Sequence, residues 1–80
     1  MPQIKDEWLD IVLEGLDETG STSVNGLFEH LRSRLPLGMG RGQIIACLRI
    51  LRKKRLVEKE LSGSFSRFGY EIINWRRRKS

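Results

Sequence analysis

Apolar residues recur at helical spacing in three successive stretches up to Arg55, and at the two-residue spacing of strands after it. That order confines the chain to three helices followed by an extended pair. In the first stretch Ile4, Trp8, Leu9, Ile11, Val12, Leu13 and Leu16 fall on one broad side, which predicts a helix over 4–18, ended by Thr19-Gly20-Ser21. In the second, Val24, Leu27, Phe28, Leu31 and Leu35 form a narrow seam over 24–35, with Thr22 or Ser23 placed to cap it by accepting from exposed amides. Gly26 within that seam costs roughly 1 kcal/mol relative to alanine, which fits either a close helix contact or a tolerated flaw near the first turn. Pro36 stops the helix, because proline disfavours a helical residue before it and has no amide to donate.

Leu37 to Gly42 reads as a turn, and a third helix follows over 41–55 with Ile44, Cys47, Leu48 and Leu51 on its buried side. Its outer side aligns Gly42, Ala46, Arg49 and Lys53, two small residues followed by two long cations. Such a face can approach another surface closely at its start and reach it with charge farther on. Strands are expected over 56–61 and 70–75, joined by the polar, glycine-bearing stretch 62–69 into a long-looped β-hairpin. Arg76-Arg77-Arg78-Lys79 has no apolar partner, so 76–80 is expected as a flexible basic tail on a single domain, 1–75.

Eighty residues allow one small core and little room for an enclosed active site, since a chain of this size buries only about 60% of its unfolded surface. Charged residues at 31% against 39% hydrophobic argue against wholesale disorder. No unbroken apolar run approaches the roughly twenty residues of a membrane span, so no membrane partner is expected. The single cysteine, Cys47, cannot pair internally, and the N-terminus lacks the basic flank and apolar stretch of a signal peptide. A reducing, cytoplasmic and nucleoid-associated setting follows as the expectation, or a nucleus in a eukaryotic or viral context.

Charge is divided more sharply than its net value of +5 conveys. Residues 1–30 hold one cation, Lys5, against seven carboxylates, while 31–80 hold fourteen Lys and Arg against Glu58, Glu60 and Glu71. The halves are therefore −6 and +11, a polarity that points to a polyanion on one side. Asp6, Asp10 and Glu14, spaced at four, form an acidic stripe on helix one that turns this side away from a polyanion or receives a basic protein partner.

The stretch from Ser23-Val24-Asn25-Gly26-Leu27-Phe28 through Leu35, the Pro/Gly turn, and Ile44-Ile45-Ala46-Cys47-Leu48-Arg49-Ile50-Leu51-Arg52-Lys53-Lys54-Arg55-Leu56-Val57-Glu58 together resemble the winged helix-turn-helix family. The resemblance covers nearly the whole chain, with two departures. Gly40 and Gly42 weaken the start of the third helix, and Arg55 stands where a glycine often precedes the first wing strand. The fold implied is α+β, a three-helix winged helix-turn-helix with a C-terminal β-hairpin wing.

The resemblance also implies double-stranded DNA as partner, with the third helix in the major groove and the wing on the backbone or an adjacent minor groove. Arginine bonds guanine bidentately and glutamine does so with adenine, which makes Arg41, Gln43 and Arg49 the candidate base readers. Arg52, Lys53 and Lys54, farther along the helix, are candidate phosphate contacts, and the amides near Gly40 to Gln43 could hold a further phosphate. On the wing, Arg67 suits a narrow minor groove, while Phe65 and Phe68 either join that contact or fold back to brace the hairpin. The tail residues Arg76, Arg77, Arg78 and Lys79 are nonspecific phosphate or groove contacts, or a short nuclear targeting signal.

Other chemistry has little footing. Gln43 stands where the last glycine of a dinucleotide fingerprint would be required, His30 lies off the apolar seam without metal-ligand neighbours, and Cys47 reads as a small core residue. Trp8 and Trp75 read as core or core-edge residues. Asp6, Asp10 and Asp17 have no nearby base, so no enzyme and no cofactor are expected. The reading is a small transcription regulator. An architectural factor in recombination or replication fits the same residues, a protein-interaction module would use the acidic helix one and Phe65/Phe68, and an RNA binder would stack Phe65, Phe68 or Tyr70 on unpaired bases. Dimerisation is left open: a homodimer would use helix one, the wing or adjacent DNA sites.

Overall fold

The computed structural model describes residues 4–78. Three helices, α1 (Asp6–Thr19), α2 (Val24–Leu31) and α3 (Arg41–Lys53), precede two antiparallel strands, β1 (Val57–Phe65) and β2 (Glu71–Arg77). The fold class is α+β.

Local chemistry sets the helix limits. Asp6 and Glu7 stand in the first turn of α1, where carboxylates complement the helix dipole, and Gly20 closes it at φ 79° with its N–H donating to Leu16 O. Ser23, not Thr22, caps α2: its Oγ accepts from Gly26 N–H at 3.2 Å. That helix ends at Leu31 instead of reaching Leu35. Its last turn tightens into three-residue bonds, Arg32 N–H to Glu29 O and Arg34 N–H to Leu31 O, because Pro36 disfavours a helical Leu35.

The core gathers Trp8, Leu9, Val12 and Leu16 of α1, Leu27 and Leu31 of α2, and Ile44, Cys47, Leu48 and Leu51 of α3, closed by Val57 and Trp75 from the strands. Met39, part of a stretch expected only to turn, plugs the same core. Of the two possibilities raised for Gly26, the structure supports neither, since the close helix contact falls at Gly15. A Cβ on Gly15 would lie 2.9–3.0 Å from the methyls of Leu27 and Leu31. Gly26 instead leaves room for Thr22 Oγ1, which would sit 2.2 Å from its Cβ.

The hairpin departs most from its sequence reading. Ser62-Gly63-Ser64 belongs to β1 as an irregularity between Leu61 and Phe65, with Gly63 at φ 76°. The loop is therefore short: Ser66 N–H donates to Tyr70 O, Gly69 takes φ 85°, and Ser66 Oγ accepts from Phe68 N–H and Tyr70 N–H. At the other end β2 runs on through Arg76 and Arg77, paired with Glu58 and Val57. The flexible tail expected from residue 76 is thus corrected for these residues, because backbone pairing and carboxylate partners hold them; Lys79 and Ser80 lie outside the described residues. Trp75 also exchanges backbone hydrogen bonds with Thr22, at 3.0 and 2.7 Å, which docks the α1–α2 link on the free edge of β2.

Candidate nucleic-acid interface

The outer face of α3 is built by periodicity: with Ile44, Cys47, Leu48 and Leu51 turned into the core, Gly42, Arg49 and Lys53 are exposed and Ala46 is half-buried. Arg49, Arg52 and Lys53 line one open depression there. Gly42 has nothing within 4 Å of a Cβ position, so the first turn presents bare backbone. Ile45, 37% exposed on the same flank as Arg52, is an apolar side chain on this face that periodicity alone places off the buried arc.

The start of α3 is more committed than expected. Arg41 donates from Nη1 to Asn25 Oδ1 at 3.1 Å, and its guanidinium lies 5.2 Å from the ring centroid of Phe28, so this side chain braces α2 against α3. Gln43 Oε1 accepts from Gly40 N–H at 2.9 Å, the return half of a capping box whose other half is missing because glycine has no side chain. A bidentate adenine contact would require that oxygen, and an anion would require that amide. The structure therefore gives Gln43 a capping role and takes the Gly40 amide out of the set available for a phosphate.

Ion pairing sorts the remaining cations. Arg34 bonds Glu18, Arg76 bonds Glu58 at 2.7 Å and approaches Glu60 at 3.5 Å, and Arg77 bonds Asp17. Arg49, Arg52, Lys53, Lys54 and Arg67 have no carboxylate partner among the described residues. The tail arginines expected as loose phosphate contacts are thus partly neutralised, whereas the second half of α3 and the wing tip keep their full charge. Asp6, Glu7, Asp10 and Glu14 are exposed on α1 and likewise unpaired among the described residues, which preserves the polarity read from the sequence.

At the wing, Phe65 is 67% exposed, Phe68 78% and Tyr70 75%, so none of these rings folds back to brace the hairpin. Arg67 stands in the tip loop between Phe65 and Phe68 in sequence, exposed. Cys47, by contrast, is buried, and desolvation pushes its thiol up to about 11, away from thiolate chemistry. Among the described residues no His, Cys, Asp and Glu group could hold a metal ion, and no helix is long and apolar enough to cross a membrane.

No protein-family model matches the chain, and no curated protein matches it in sequence. Its three helices and hairpin superpose on a PadR family transcription regulator from hypervirulent Clostridium difficile with a TM-score of 0.67, at 17% identity, covering 90% of this chain and 73% of that one. The fold is a winged helix. In its terms α2 and α3 form the helix-turn-helix, the hairpin β1–β2 is the wing, and the Thr22 bridge adds a minimal third strand beside Trp75. At that identity the likeness concerns architecture and leaves the assignment of individual side chains to the geometry above.

Proposed function

We propose that this winged helix binds double-stranded DNA as a transcription regulator, with α3 in the major groove and the wing on the backbone or the adjacent minor groove. One observation carries the reading: Arg49, Arg52, Lys53 and Lys54 on and just after the exposed second half of α3, and Arg67 at the wing tip, have no carboxylate partner among the described residues, while the unpaired Asp6, Glu7, Asp10 and Glu14 lie apart on α1. The architectural likeness to a protein described as a transcription regulator points the same way.

Arg49 is the base reader in this proposal, with Ile45 available to a thymine methyl and Gly42 and Ala46 allowing close approach. Arg52, Lys53 and Lys54 contact phosphates. Arg41 keeps the two helices of the motif in register and Gln43 the helix start, so both act on the interface through position. Arg67 enters a narrow minor groove, and Phe65, Phe68 and Tyr70 rest on sugar or base edges beside it. The protein acts by binding and not by catalysis, and it needs no cofactor.

Selection from a random-sequence duplex pool at near-physiological salt, followed by sequencing, tests this. An enriched motif is expected, and a palindrome with half-sites about 34 Å apart would mark a homodimer on DNA. Retained binding without enrichment would replace the regulator by an architectural factor. Absence of binding would overturn the reading and leave the acidic α1 face, as a docking site for a basic protein, in its place.

A further inference from the structure

The base of the hairpin carries a second cationic site. The last turn of α1, the link between α3 and β1, and the end of β2 surround an open depression lined by Arg55, Arg77 and Arg78, with Leu16 and Leu56 as apolar walls and Asp17 as its one carboxylate. Asp17 bonds Arg77, whereas Arg55 and Arg78 have no carboxylate partner among the described residues. β1 is nine residues long, which puts this base about 25 Å from the wing tip.

Arg55 is placed there against backbone preference. It takes φ 62°, and its N–H donates to Arg52 O while Leu56 N–H donates to Leu51 O, the bonding pattern in which a helix ordinarily ends on glycine. Strain at a residue whose side chain carries a charge into a depression points to use of that side chain. Arg76 is not part of the site, being committed to Glu58 and Glu60.

We propose that this depression binds a phosphate-class anion, apart from the outer face of α3. The anion is either a nucleic-acid backbone or a free phosphorylated ligand, and the site stands whether or not the major-groove reading does.

The test is a titration with inorganic pyrophosphate followed in amide NMR spectra of the full chain and of Arg55→Gly, Arg55→Lys and Arg78→Ala. Arg55→Gly relieves the backbone strain, so it folds, and its thermal midpoint shows this independently. The expected result is movement of the Gly20, Arg55, Leu56 and Arg78 amides, with affinity falling on the order of tenfold in Arg55→Gly and Arg78→Ala and largely kept in Arg55→Lys. Movement confined to α3 around Arg49 to Lys53, or affinity unchanged in Arg55→Gly, would overturn the proposal and reduce the arginines to charge complements of two helix C-termini. A duplex added in a second titration separates the sources. If it moves the same base amides and displaces pyrophosphate, the anion is a nucleic-acid backbone; if pyrophosphate binds unchanged beside it, the anion is a free ligand. A duplex that moves no α3 amide would sink the major-groove reading alone.

Discussion

Arg77 donates a hydrogen bond to Asp17 Oδ2 across sixty positions of sequence, fastening the last residue of β2 to the final turn of α1. Both side chains are about half exposed, so the pair itself is worth less than about 1 kcal/mol. Its consequence is positional: the end of β2 is fixed to the domain. Truncation after Trp75 removes this pair, the Arg76 bonds to Glu58 and Glu60, two residues of backbone pairing and the bond from Arg78 N–H to Leu56 O. We expect a loss on the order of 1–3 kcal/mol in urea unfolding, against a few tenths for Arg77→Ala. An unchanged midpoint on truncation would mean that β2 ends functionally at Trp75.

Two helical glycines should respond to alanine in opposite senses. At Gly15 the new methyl meets Leu27 and Leu31 in a packed core, and overpacking outweighs the gain in helix propensity; a net loss of about 1–2 kcal/mol is expected. At Gly42 the methyl meets nothing, so stability rises by up to about 1 kcal/mol. If the proposed interface is right, Gly42→Ala also weakens DNA binding while it raises the melting temperature, since the methyl stands on the approach face. Thermal unfolding together with a binding titration reads both.

Acid should loosen the α1–α2 contact in a defined window. Hydrogen bonds from Arg34 and then His30 hold the Glu18 carboxyl down at about 2, from an ordinary value of 4.5. A depressed carboxyl contributes stability above its unfolded value and loses it as pH falls from about 4.5 through about 2. Glu18→Gln should therefore be less stable than the parent at neutral pH, with the difference closing across that interval. Parallel stability curves down to pH 2 would show that the contact contributes nothing.

Arg49→Ala should cost on the order of 1–3 kcal/mol on the selected site and relax preference at one base pair. Equal losses on selected and random duplexes would make Arg49 a phosphate contact instead. Arg67→Ala should flatten the slope of log K against log salt by about 1, and an unaltered slope would take the wing tip off the backbone. Because Phe65 and Phe68 are exposed, alanine at either should shift stability by less than about 0.5 kcal/mol.

The helices, their order and most of the core were legible in the sequence, because burying one face of a helix imposes the spacing of Ile44, Cys47, Leu48 and Leu51 and exposes Arg49 and Lys53 opposite. The wing was legible as a hairpin but not in its limits, since Ser62-Gly63-Ser64 is chemically a loop and is carried in the strand as a bulge only because Leu61 and Phe65 on either side pair with Ile73 and Glu71 of β2. Gln43, expected as a base reader, also accepts from the Gly40 amide, a bond that sequence alone does not reveal. Periodicity and the segregation of charge are local properties, and the sequence by itself determined them. Tertiary structure alone decided which cations stay unneutralised, because Arg76 and Arg77 meet Glu58, Glu60 and Asp17 only once distant segments pack, and Coulomb attraction depends on separation in space rather than along the chain.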